Sequence, residues 1–140
     1  LARVTIASGL IERLEEHARL WLPKEGCGLL LGNLRGPVTE VVDIAFSGNV
    51  TAQDPRKTFE IDPSLIIRLQ KEARAGGLQI VGVWHSHPSG VAEPSETDKA
   101  RSEVAGWVWI ITGIQADICT TNAFLVSEND PHSFLPLSDI

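Results

Sequence analysis

Apolar and polar positions along this chain alternate between a helical and an extended rhythm. Leu10, Ile11, Leu14, Ala18 and Trp21 recur at helical spacing, with Ser8 as a candidate N-cap and Pro23 as a stop. Arg3 to Ala7 is a short strand ahead of that helix. Gly26 to Leu31 reads as a buried strand, Gly32 to Pro37 as a turn, and Val38 to Phe46 as the hairpin partner, rich in Val, Ile and Phe. A loop of Gly, Asn, Asp and Pro covers residues 47–57, and Thr58 to Ile61 is a short extended piece. Asp62-Pro63 then opens a second helix with an N-cap and a proline at its first position. Its apolar side is Leu65, Ile66, Leu69 and Ala73, and Gly76-Gly77 closes it.

Leu78 to His85 is a largely apolar run, like a buried strand, and predicts the central strand. Ser95 to Ala105 predicts a helix, Trp107 to Gly113 and Asp117 to Val126 two further strands, and Phe134 to Leu137 an edge strand, the place where Pro136 is tolerated. Trp107 and Trp109, two apart, read as one sheet face packed under a helix. A helix between strand-like runs predicts a crossover rather than a hairpin. The expectation is a three-layer α/β fold around a mixed sheet, one domain over residues 1–140.

Composition narrows the function classes. The net charge is -6, from 18 acidic and 12 basic residues without a basic cluster, which argues against nucleic acid as the partner. No apolar run reaches the ~18 residues of a membrane span, and the N-terminus has no signal-peptide pattern. Cys27 and Cys119 are far apart and suit reduced thiols rather than a disulfide framework, so the expected location is cytoplasmic.

The chemistry concentrates where the central strand should end, at Val81-Gly82-Val83-Trp84-His85-Ser86-His87-Pro88. Side chains two apart on a strand share a face, so His85 and His87 can present two imidazoles to one point, which is half of a zinc site. Asp98 follows after ten intervening residues, beyond a loop with Pro88, Gly90 and Pro94, and can return a carboxylate. Two imidazoles, a carboxylate and an open position suit a catalytic zinc. Two histidines at this spacing also occur by coincidence, and spacing alone leaves both readings open. Ser86 points to the other face and is assigned a structural role. His17 borders the first helix's apolar stripe and reads as a packing or surface residue.

The pattern His85-Ser86-His87-Pro88, then Ser95-x-x-Asp98, with Glu25 upstream in Glu-Gly-Cys-Gly-Leu-Leu-Leu-Gly, resembles the JAMM (MPN-plus) zinc metalloprotease family, in particular its small free-standing prokaryotic members. The segment from Asn49 to Pro63, with Pro55, Phe59 and Ile61-Asp62-Pro63, is similar to their connecting segment. The resemblance implies a cytidine-deaminase-like fold, Zn2+ on His85, His87 and Asp98, Glu25 as general base and Ser95 as oxyanion donor. It implies hydrolysis of a peptide or isopeptide bond after the C-terminal tail of a ubiquitin-like or sulfur-carrier protein ending in diglycine. Deaminase chemistry itself is disfavoured, because the His-x-Glu and Pro-Cys-x-x-Cys ligands are missing. With a short loop after Pro88 and no long insertion, a compact processing peptidase is expected rather than a polyubiquitin-selective enzyme. Two alternatives stand beside it: a non-catalytic scaffold of the same fold, and a thiol hydrolase built on Cys27.

Overall fold

The structure, a computed structural model, describes residues 2–137; the expected domain limits, residues 1 and 140, lie outside them. The chain runs β1 (Arg3–Ile6), α1 (Leu10–Trp21), β2 (Cys27–Arg35), β3 (Val38–Ser47), α2 (Pro63–Arg74), β4 (Gln79–His87), α3 (Glu96–Arg101), β5 (Val108–Gln115), β6 (Ile118–Val126) and β7 (Phe134–Leu137). The strands form one mixed sheet in the order β1-β3-β2-β4-β5-β6-β7. Both β3 and β4 run antiparallel to β2, which lies between them, so α2 is the predicted crossover. β4 and β5 are parallel neighbours with α3 in their connection. Pro136 sits on the terminal strand, as its missing N–H requires.

Alternation along β4 divides the interior. Trp84 is fully buried with Leu10, Leu14 and Ala18 of α1 and with Leu30, Val41 and Ile110 of the sheet. On the other face Val83 packs with Cys27, Phe59, Trp109 and Val126. His85 and His87 share the face of Val83, so the same alternation that anchors the α1 core turns both imidazoles away from it.

Four local readings are revised. The cap of α1 is Gly9 in a left-handed conformation (φ 82°), without a side-chain hydrogen bond, and not Ser8. Gly32 is not in a turn: β2 continues to Arg35, and the register with β3 shifts between Leu31 and Gly32. A side chain at Gly32 would drive its Cβ into the Glu40 carbonyl oxygen, so the glycine answers to close strand approach at a bulge. Of the apolar side of α2, Leu69 alone is fully buried; Leu65, Ile66 and Ala73 are half-buried. Finally, α3 stops at Arg101 instead of reaching Ala105, because from Ser102 the chain is extended on its way to β5.

Candidate metal centre

The register of β2 with β4 brings the distant motifs together. Cys27 pairs with His85, and one step further Ser86 N donates to the Gly26 carbonyl (3.0 Å). Continuing that antiparallel ladder sets Glu25 across from His87, and directly opposed residues put their side chains on one face. A glutamate just ahead of one strand thereby meets histidines ending another.

His85 Nε2 and His87 Nε2 lie 3.0 Å apart, and Asp98 Oδ2 lies 3.0 Å from the first and 3.1 Å from the second. All three residues are buried. Asp98 is delivered by the N-terminal turn of α3, where Ser95 Oγ accepts from Asp98 N (3.0 Å) and Asp98 Oδ2 accepts from Ser95 N (2.9 Å), a reciprocal capping box. His87 Nδ1 donates to the Val91 carbonyl (2.7 Å), which fixes the tautomer: its Nε2 carries a lone pair. His85 has no such bond. Its Nδ1 is buried without a partner, and its ring is held instead by stacking on Phe59 (4.4 Å between centroids) and by the edge of Trp109.

Three basic atoms crowded to this distance need a cation among them. Atoms bound ~2.0–2.1 Å from a tetrahedral zinc are about 3.3 Å apart, close to the triangle seen here. One proton cannot satisfy the three at once, whereas a divalent ion can, so the donor set fits a metal. The electrostatics agree: burial acts to raise the Asp98 pKa, but the two imidazoles hold its carboxyl well below the usual range. Burial pushes His85 below the ordinary histidine value, while for His87 the hydrogen bond and charge of Asp98 outweigh burial and lift it.

Glu25 stands apart from this triangle. A carboxylate oxygen lies within 4.8 Å of a ring nitrogen of each histidine, yet Oε1 is buried without a hydrogen-bond partner. By proximity alone Glu25, His85 and His87 also make a metal-competent set; the shorter distances to Asp98 favour Asp98 as the third ligand. Burial, with a smaller contribution from the charge of Asp98, pushes the Glu25 carboxyl up to about 8.

Glu25, His87 and Ser95 open onto one cleft of about 300 Å³, with Arg56, Lys57, Val91 and Pro94 also lining it. A second cavity of about 220 Å³, also lined by Asp98, is walled by Phe59, Ile61, Val83, Trp107 and Trp109; Trp109 lies on β5, whereas Trp107 stands just ahead of that strand and packs against the same cluster. The structure thus gathers all five residues singled out from the sequence.

Ser86 does point to the opposite face, and its role is specific: the buried hydroxyl accepts from Gly26 N (2.8 Å), tying the His-x-His strand to the peptide after Glu25. Ser86→Ala leaves that N–H unpaired in a dry environment, and we expect a loss of about 1–3 kcal/mol in a denaturant titration. His17 stacks on Phe46 (3.7 Å) away from the site. Cys27 is buried, its thiol pushed up to about 12 by burial and by the charge of Glu25. It stays protonated at neutral pH and packs as a small hydrophobe, which gives the thiol-hydrolase alternative no support.

A mixed sheet whose central strand ends in two convergent imidazoles, flanked by two buried carboxylates, defines an α/β domain with a metal-competent site. Residues 7–125 match the family described as prokaryotic homologs of the JAB domain, and the chain belongs to that family. It is 30% identical over 114 residues to the desampylase of Haloferax volcanii, across 79% of this chain and 80% of that one. To the probable TtuB-protein conjugate cleaving protease of Thermus thermophilus it is 32% identical over 113 residues, across 79% and 72%. Among solved structures, a Desulfitobacterium hafniense protein superposes with a TM-score of 0.82 at 28% identity, covering 98% of this chain and 91% of that one. A JAB1/MPN domain protein of Archaeoglobus fulgidus, at TM-score 0.63 and 20% identity over 96% of this chain and 94% of that one, shares the fold.

Proposed function

We propose that this protein is a zinc metallopeptidase that hydrolyses the peptide or isopeptide bond following the C-terminal tail of a ubiquitin-like or sulfur-carrier protein. The observation that carries the proposal is the triangle of His85, His87 and Asp98 donor atoms, 3.0–3.1 Å on each side, with an unbonded buried carboxylate beside it. The relatives named as a desampylase and a conjugate-cleaving protease support the substrate class.

His85, His87 and Asp98 would hold the ion. Bound zinc would supply Lewis acidity, polarising a carbonyl and making a water available as hydroxide near neutral pH. Glu25, whose Oε1 has no hydrogen-bond partner, would take a proton from the attacking water and pass it to the leaving amine. A carboxyl raised by burial is basic enough for the first task and acidic enough for the second. Ser95 lines the cleft with its hydroxyl oxygen already accepting from Asp98 N, which leaves the hydroxyl hydrogen free to donate to an oxyanion. A tail ending in diglycine brings no side chains to the scissile end and suits a confined cleft.

Ser95→Ala separates capping from catalysis. Loss of the cap costs about 1 kcal/mol of stability, whereas loss of an oxyanion donor costs about 2.7–4 kcal/mol in the barrier. We expect kcat to fall by far more than the melting temperature implies; near-normal turnover would remove Ser95 from the mechanism. The function itself is tested by incubating the zinc-loaded protein with co-encoded ubiquitin-like proteins carrying C-terminal extensions. Mass spectrometry should find cleavage directly after the diglycine, absent with Glu25→Ala. Intact extensions throughout would refute the proposed reaction.

A further inference from the structure

Asn49 follows β3 at the start of the connection to α2, and nothing in the proposed chemistry uses it. Its carboxamide is committed entirely to backbone. Nδ2 donates to the carbonyls of Glu25 (3.1 Å) and Thr58 (3.0 Å), with the Pro55 carbonyl a longer third contact (3.5 Å), and Oδ1 accepts from the amides of Glu60 (3.1 Å) and Thr51 (3.3 Å). Two donor hydrogens and two lone pairs are thus all occupied.

These bonds complete a clamp around Glu25. Its own N–H donates to the Pro55 carbonyl (2.7 Å), its carbonyl accepts from Asn49, and the next N–H donates to Ser86 Oγ (2.8 Å). Both peptide groups flanking the Glu25 Cα are therefore fixed, while Oε1 has no bond at all. That division suits a base. A partner on the carboxylate oxygen would compete with the proton it must accept, so orientation has to come from the main chain. The same amide also ties down Thr58 and Glu60 on either side of Phe59, whose ring stacks on His85.

We infer that Asn49 is a positioning residue for the hydrolysis, holding Glu25 at its distance from the histidine pair through the Glu25 carbonyl. This rests on the proposed role of Glu25 as base. A residue that merely shaped the loop would act on substrate binding or on folding. One that positions the base acts on the chemical step, where a misplacement of about 1 Å costs roughly 100-fold.

The test uses the zinc-loaded full chain with Asn49→Ala, Asn49→Asp and Glu25→Gln, each assayed well below its own melting temperature on a ubiquitin-like protein with a C-terminal extension. Asn49→Asp keeps the acceptor for Thr51 and Glu60 and loses the donors to Glu25 and Thr58, so it addresses the clamp even if Asn49→Ala does not fold. We expect kcat to fall by about 10- to 100-fold in both Asn49 variants, with KM within about threefold and zinc still stoichiometric. The inference is overturned if Asn49→Asp keeps kcat within about threefold while Glu25→Gln is inactive, if KM rises with kcat intact, or if zinc is lost in step with activity. Turnover persisting in Glu25→Gln is a different failure: it removes the base itself, and the reason to position it.

Discussion

Glu25→Gln is expected to bind zinc at parental stoichiometry and to turn over about 100-fold or more slowly. The amide matches the carboxylate in shape but cannot accept a proton, and Glu25 makes no hydrogen bond to either imidazole whose loss would disturb them. Its stability should move the other way. In the metal-free protein, burial raises the Glu25 carboxyl from 4.5 to about 8. A raised carboxyl gives its full stability below the unfolded value, and stability is lost as pH rises towards the folded one. From pH 4.5 to about 8 the metal-free parent should therefore weaken relative to Glu25→Gln, which has no such group. A thermal melt of both proteins at pH 5 and pH 8 measures this. An inactive variant that is as stable as the parent, or more so, marks a group retained for chemistry at a cost in folding. Loss of zinc would instead make Glu25 a ligand, and unchanged turnover would require another base.

How far the sequence reaches depends on whether a feature is local. His85 and His87 share a face because strand alternation permits nothing else, and Asp62-Pro63 begins α2 because a side-chain cap and a fixed φ act within one turn. Ser95 and Asp98 are equally local, three residues apart in a capping box. Glu25 is different. Its place opposite His87 follows from the pairing of Cys27 with His85, which is set by packing across the sheet. Only resemblance to a known family anticipated it. Asn49 lay in a stretch that composition identifies as loop, and composition cannot tell which polar side chain in a loop turns inward to hold carbonyls. Gly32 misled because tight turns and bulges both favour glycine; only the Glu40 carbonyl across the ladder distinguishes them. The sequence predicts too long a helix after Ser95 because its start signal is strong, while residues 102–105 hold no glycine or proline to mark its end.

Asp98→Asn should abolish turnover together with the stability that zinc confers. An ion bound only by the folded state stabilises it by RT ln(1 + [Zn]/Kd), about 4 kcal/mol at a thousandfold excess over Kd. In the parent this should appear as a large rise in melting temperature on adding zinc, reversed by a chelator. Asparagine can still accept from Ser95 N, so the cap of α3 survives, but the metal-free variant should melt below the metal-free parent because it loses the carboxylate that the two imidazoles stabilise. What disappears is the negative charge between two imidazoles, and with it most of the zinc-dependent rise, to below about 1 kcal/mol under the same conditions. Two buried carboxylates flank one histidine pair, and proximity admits either as the third ligand. The two substitutions must therefore come out differently: Glu25→Gln keeps the thermal response to zinc and loses the reaction, whereas Asp98→Asn loses both. If Asp98→Asn keeps the full response and Glu25→Gln loses it, the ligand set is Glu25, His85 and His87, and Asp98 takes over as the candidate base.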